Sequence, residues 1–328
     1  MKYRIVEAEK DAELIASLGC LASILEVYGY PKPGNVHRFA DYEEKTMLHF
    51  LTASVALFPP LTKAARTGNL IQNAKIPPSE AKIGARILEC VKSKTRWGVE
   101  QNTNLGVVLL LVPLVIAAGA SQRIENNSFV SDLRLRLRQI LESSKSEDVI
   151  SVGRAIALAN PSGLGTSTEL DVSSKSFESE VSERNVTLVD LFEPAKTHDL
   201  IAREYVTGFQ ITFEISNPFI SQMEERFCLE KRTVLLFLHL MTSYLDSHIV
   251  RNQGVSVAEE IQKEIKTLGT PECLLKDSEQ LWQFDERLRQ RKLNPGTTAD
   301  LTAAGLFVNL LDQIQRPNFE GFDFCLPF

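Results

Sequence analysis

The stretch LGVVLLLVPLVIAAGA, Leu105 to Ala120, decides between a membrane-spanning chain and a helical protein with its own core. It carries no charge, but Pro113 and two glycines interrupt it. It also falls short of the roughly 20 apolar residues that a spanning helix needs. We read it as a buried core helix, and the flanking sequence supplies amphipathic partners. In PSEAKIGARILECVKSK, Ile83, Ile87, Leu88 and Val91 share one helical face, with Pro77 and Pro78 at the entry. In SVAEEIQKEIKTLG, Val257, Ile261, Ile265 and Leu268 form a second stripe. Ser256 and Glu259 have capping-box spacing there, and Gly269 is placed to stop the helix. Phe307, Leu310, Leu311 and Ile314 repeat the pattern in the last third, where Thr297 with Asp300 has the spacing of a cap.

Strand signals are scarce. VTGFQITFEI (206–215) alternates in part, yet it also reads as a continuation of the helix begun in HDLIAREY. The expectation is an all-α fold: one large multi-helix domain over residues 1–328, orthogonal or bundle-like. The Ser-, Gly- and Glu-rich segment 160–185 is expected to be a long mobile loop, because structureless stretches of that length inside compact domains are usually functional or disordered.

At 328 residues and 44% apolar content the chain can bury a sizeable core. Its net charge of −6 argues against broad binding to nucleic acid or an anionic membrane, while leaving room for a local basic pocket. The five cysteines are scattered and show no CxxC pair, so they read as reduced thiols of a cytoplasmic protein. The charged N-terminus does not resemble a signal peptide. A homo-oligomer is compatible with the sequence.

Four polar clusters lie at helix edges. PKPGNVHR brings Lys32, Gly34, Asn35, His37 and Arg38 together, with Asp41 just beyond. Basic side chains beside a glycine turn suit phosphate oxygens, although alone the stretch reads as an ordinary solvated turn. NTNLG places Asn102, Thr103, Asn104 and Gly106 at the start of the apolar helix, where free amides and the dipole favour an anion or a simple cap. The third cluster combines Asp199 and Arg203, four apart on one helix face, with Asp246, His248 and Arg251 after an apolar helix. NPGTTADL opens the final helix with Gly296, Thr297, Thr298 and Asp300, without the spacing of a P-loop.

In the order KPG, NTNLG, DSHIVR, NPGTTADL, these clusters resemble the triphosphoribosyl-dephospho-CoA synthase family (ATP:dephospho-CoA triphosphoribosyltransferases). KPGNVHR and DLIAREY are most similar to a divergent branch of archaeal type. Other members commonly carry Asp where His37 stands, which bears on the acceptor more than on the ATP chemistry.

The resemblance implies attack by an acceptor hydroxyl on C1′ of the ATP ribose, with adenine leaving through an oxocarbenium-like transition state. Its substrates would be small nucleotides, ATP and dephospho-CoA or a relative, with Mg²⁺ on the triphosphate. Lys32, Arg38, Arg203 and Arg251 become the expected triphosphate partners, with amides from 102–106, Gly34, Asn35 and Gly296. Asp199, Asp246 and Asp300 are the expected catalytic carboxylates, Asp246 first as general base. Asp41, Asp246 and Asp300 are the expected metal ligands, and the roles of Asp246 and Asp300 are exchangeable. The 160–185 segment would exclude water. Transfer to another acceptor or to water, and nucleotide binding without catalysis, are the alternative readings.

Overall fold

The computed structural model describes residues 8–42, 44–121, 128–163 and 170–324. Among them the regular structure is helical, apart from two isolated bridges, His37 with Ala40 and Tyr42 with Lys45. The first helices are α1 (Ala8–Tyr28), α2 (Met47–Ala56), α3 (Phe58–Gln72), α4 (Ile83–Ser93) and α5 (Leu105–Ala120). Next come α6 (Phe129–Glu142), α7 (Ser146–Ala159), α8 (Phe177–Arg184), α9 (Leu188–Phe192), α10 (Leu200–Thr207) and α11 (Asn217–Gln222). The last third holds α12 (Leu229–Ser243), α13 (Ser247–Gln253), α14 (Val255–Leu268), α15 (Pro271–Lys276), α16 (Ser278–Gln290) and α17 (Gly296–Gln315).

The fold is all-α and organised around α5. Every α5 residue except Gly106 is buried, and α1, α3, α4, α6 and α17 pack around it. No single helix among the described residues is long and apolar enough to cross a membrane. Pro113 brings no amide hydrogen, so the Leu109 carbonyl one turn earlier loses its helical donor. The buried Tyr205 hydroxyl, on α10, donates to that carbonyl at 2.7 Å. Tyr205→Phe should therefore cost about 1–2 kcal/mol. The expected readout is a lower urea midpoint with an unchanged slope.

A second cluster, including Val234, Phe237, Ile261, Leu274, Phe284 and Leu288, joins α12, α14, α15 and α16. α12 also packs on α1 and α17, so the two clusters share a seam. The chain bends by 51° between α12 and α13, and Asp246 sits in that break as the residue before α13.

Several local expectations change. The stripes in α4, α14 and α17 face the core as the periodicity requires, with Leu88, Val257, Leu268 and Ile314 half-buried at their edges. The Ser256–Glu259 box is not used: α14 already begins at Val255 behind Gly254, and no side chain caps it. Thr297 with Asp300 does not cap α17 either, because Asp246 reaches across from the α13 start and takes that role. VTGFQITFEI is neither a strand nor a simple continuation. α10 stops at Gly208, and a π-helix runs over Ile211–Ser216. Buried Glu204 accepts from the Ile211 amide (2.7 Å), the Thr212 amide (3.0 Å) and the Thr212 hydroxyl (2.6 Å), fixing that irregular start. Within the segment expected to be a mobile loop, α8 is a formed helix whose buried Phe177 and Val181 pack toward α7. Residues 164–169 of that segment lie outside the described residues. Cys20, Cys90 and Cys273 are free, but Cys228 is disulfide-bonded, against the expectation of reduced thiols throughout.

Candidate active site

The N-termini of α5, α10, α13 and α17 meet at the seam, and their positive dipole ends create a field that favours negative groups. Side chains of the third and fourth predicted clusters join them, and Asn35 of the first reaches the turn before α17. The Leu200 amide of α10 donates to Ser247 Oγ at 2.7 Å, which ties α10 to α13. Asp246 ties α13 to α17. Its Oδ1 accepts from the His248 and Ile249 amides at 2.9 and 3.0 Å. Its Oδ2 accepts from the Thr298 amide at 2.7 Å and the Thr298 hydroxyl at 2.8 Å. A carboxylate offers about four lone-pair directions, so Asp246 has none left for a substrate proton. That corrects its expected role as base and metal ligand.

Asp199 is also a cap, with Oδ1 taking the Ile201 and Ala202 amides at 2.8 and 3.0 Å. Its other oxygen pairs with Arg251 rather than with Arg203. The pairing differs from the four-residue spacing because Asp199 precedes the helix in an extended conformation and turns away from the α10 face. Arg251 is thus committed to a carboxylate and is not a free phosphate clamp. The Arg203 guanidinium lies over the Tyr244 ring at 5.6 Å, and no carboxylate pairs with it among the described residues.

Asp300, one turn into α17, differs from the other two carboxylates. Its side chain has no hydrogen-bond partner among the described residues. Burial pushes its pKa well above the ordinary range, and neighbouring Glu26, Asp246 and Asp199 add to the shift while Arg251 opposes it. The glycine of NTNLG makes room for it: a Cβ on Gly106 would collide with Asp300 Oδ2. Around this point, the Thr103 and Thr297 hydroxyls and both polar atoms of the Asn104 amide are buried without partners. These side chains are 7%, 1% and 5% exposed for Thr103, Thr297 and Asn104. Asn102 is spent locally, accepting from the Leu105 amide at 3.3 Å.

The PKPGNVHR loop is a clasp. Gly34 takes φ +73°, and any side chain there would strike the Leu293 carbonyl. Its amide donates to Asp285 Oδ1 at 2.7 Å, and its carbonyl accepts from Tyr42 at 2.6 Å. The Asn35 amide group donates to Asn294 Oδ1 at 3.0 Å, which joins this loop to the turn before α17. Lys32, expected to face a phosphate, is fully buried and pairs with Glu26 and Asn35. An ammonium removed from water needs such a counter-charge. Burial lowers its pKa, and Glu26 counters that shift.

His37 Nδ1 accepts from the Phe39 amide at 3.2 Å, so the ring's other nitrogen carries the hydrogen that faces Asp285 Oδ2 at 3.2 Å. Burial lowers the His37 pKa despite that carboxylate. Burial alone would raise the Asp285 pKa, but His37, Arg289 and the Gly34 amide hold it below the usual value.

Two predicted residues leave the site. Arg38 pairs with Glu230 at 2.5 Å and stacks on Tyr28 at 4.7 Å, which a half-buried guanidinium satisfies more readily than a distant phosphate. Asp41 is exposed and receives the Met47 amide at 2.5 Å, capping the start of α2. It does not join Asp246 and Asp300, and no group of three or more His, Cys, Asp or Glu side chains is arranged to hold a metal ion among the described residues. Gly296 starts α17 against the His248 ring, whose Nδ1 lies 2.9 Å from the Asn294 carbonyl. Gly163 lies against the Arg251 carbonyl, so the 160–163 edge of the Gly-Leu-Gly loop borders the seam.

Sequence reasoning missed Glu26, Asp285, Arg289 and Lys94. A lone acid in the apolar run LASILEVYG was the available signal for Glu26. Asp285 and Arg289, four apart on α16, look like a routine surface pair. Surface cavities of about 410 and 250 Å³ lie elsewhere, on the α7–α8 and α6–α10 faces, and touch none of the predicted catalytic, phosphate-binding or metal-binding residues.

Comparison with known proteins shows the family and the fold. A solved structure from Archaeoglobus fulgidus, described as a triphosphoribosyl-dephospho-CoA synthase, superposes with a TM-score of 0.61 at 27% identity. The match covers 81% of this chain and 99% of that one. A Streptococcus mutans protein described as a 2-(5''-triphosphoribosyl)-3'-dephosphocoenzyme-A synthase is 37% identical over 82 residues, 24% of this chain. That match spans only 27% of the curated relative's length. The family of ATP:dephospho-CoA triphosphoribosyl transferases (CitG) matches residues 12–319, which takes in all four clusters and the clasp, and the chain belongs to that family.

Proposed function

We propose that this chain is a cytoplasmic transferase that moves the 5-triphosphoribosyl group of ATP to a hydroxyl of dephospho-CoA, or a close relative of it, and releases adenine. The observation that carries this reading is Asp300: a carboxylate without a hydrogen-bond partner, set among buried, unpartnered hydroxyl and amide groups at converging helix N-termini. In the reaction the acceptor oxygen bonds to C1′ as the C1′–N9 bond breaks. Asp300 takes the hydroxyl proton, its negative charge stabilises the cationic ribose, and the departing adenine takes up a proton. Burial raises the Asp300 pKa, which makes its carboxylate a stronger base than an exposed one.

Arg203 suits the triphosphate, because no carboxylate pairs with it. Asp246 and Asp199 fix the helix starts that aim Asp300. A Mg²⁺ arriving with the triphosphate would have Asp300 as its protein carboxylate, because Glu26 is paired with Lys32. Phosphate oxygens and water would complete its octahedral shell, and it would neutralise phosphate charge. The clasp and the 160–163 edge would keep water from C1′.

The test is adenine release from ATP and Mg²⁺, measured by chromatography with and without dephospho-CoA. The expected result is adenine only when dephospho-CoA is present, with one triphosphoribosylated product per adenine. Equal adenine release without it would point to water as the acceptor.

A further inference from the structure

Lys94 and Lys45 were not singled out by any motif, yet they stand beside the NTNLG turn. Lys94 opens the 3₁₀ turn Lys94–Trp97, which packs on α2 and α4. Its side chain is 3% exposed, and its ammonium donates to the Gln101 carbonyl, a neutral partner. Lys45 lies two residues before α2 and is half-buried. Neither ammonium forms an ion pair with a carboxylate among the described residues.

The two lysines are close enough to repel: burial first, then the Lys45 charge, lowers the Lys94 pKa to about 8. Lys45 acts on His248 in the same sense, which sets this cationic wall beside the α13–α17 junction. An independent observation lies next to it in the chain. Gln101 Oε1, Thr103 Oγ1 and both polar atoms of Asn104 are buried without partners. Two withdrawn ammonium groups, with Glu44 as the one charge acting favourably on Lys45 and the unpartnered Thr103 hydroxyl and Asn104 NH₂ as neighbouring donors, are costly to maintain unless a polyanion completes them.

We propose that Lys94 and Lys45 form the subsite for the distal phosphates of the triphosphate, with Thr103 and Asn104 as its neutral donors. The assignment rests on the triphosphoribosyl-transfer reading and gives the role first expected of Lys32, now bound to Glu26, to two other lysines. It predicts a preference for a nucleoside triphosphate over a monophosphate, which could not reach this wall.

Inorganic tripolyphosphate tests the subsite without any turnover. By titration calorimetry it should bind the wild-type chain, and Lys94→Met or Lys45→Met should weaken it about 10- to 100-fold, the usual scale for losing a charge-assisted contact. Exposed Lys276→Met should leave it unchanged. Lys45→Met keeps the test decisive if Lys94→Met unfolds, since Lys45 is only half-buried and its side chain holds no structural partner. No binding to the wild type, or wild-type affinity in folded Lys45→Met, overturns the proposal. Lys45-dependent binding in a chain that never releases adenine would retain the subsite and remove the reaction. Adenine release with an unaltered ATP KM in Lys45→Met would do the reverse.

Discussion

Asp300→Asn is expected to lower adenine release by about 10²–10⁴-fold, the range for losing a positioned acid or base, while raising the melting temperature of the free protein. Both halves follow from one arrangement. The carboxylate has no hydrogen-bond partner among the described residues and is pushed toward its neutral form by burial, then by Glu26, Asp246 and Asp199. A carboxyl whose folded pKa lies above its unfolded value takes up a proton on folding. Its contribution to stability is therefore complete below about pH 4 and is lost as pH rises through the folded pKa. Asn at 300 removes that loss, so the gain in melting temperature should be largest at neutral to alkaline pH and vanish near pH 4. A stabilised, inactive variant is the signature of a residue kept for chemistry at a cost in stability. Wild-type turnover in Asp300→Asn would take it out of the mechanism. A fall in melting temperature at pH 8 would show that its carboxylate has a structural partner.

Much of the fold was legible because burial leaves a period in the sequence. The stripes of α4, α14 and α17 and the all-apolar α5 each announce what they pack against. The order of the four clusters was legible for a related reason: each lies at a helix start, where Gly, Pro and Asn have local work to do. What the sequence did not carry was the allocation of partners. Thr297 and Asp300 have capping spacing, yet the cap of α17 comes from Asp246, 52 positions away, and that frees Asp300. Lys32 sits beside a glycine turn like a phosphate ligand, but the fold returns it to Glu26 on the preceding helix. Arg203 and Arg251 look alike as candidates, and only the extended conformation at Asp199 decides which of them is spent. Local spacing identifies which groups can cap or pair. Which ones remain available for a substrate depends on contacts between distant segments.

Asp246→Asn separates the two carboxylates that the sequence left exchangeable. Asn at 246 keeps one oxygen for the His248 and Ile249 amides, but turns an NH₂ group toward the amide and hydroxyl of Thr298, where Asp246 Oδ2 now accepts at 2.7 and 2.8 Å. Donor facing donor in a buried site leaves the Thr298 amide unsatisfied, at a cost of about 2–3 kcal/mol. Asp246→Ala abandons both helix starts and should cost about 3 kcal/mol or more, adding a lost cap to the unsatisfied amides. The first readout is the unfolding midpoint, which should fall for both variants and further for Ala. The second is kcat per folded molecule. Because Asp246 acts by setting the register of α17, the folded fraction of Asp246→Asn should keep adenine release within about tenfold of wild type, well above the loss expected for Asp300→Asn. If instead Asp246→Asn folds with wild-type stability and loses more than a hundredfold in kcat, its oxygens are not held by the two helix starts, and the base belongs at Asp246.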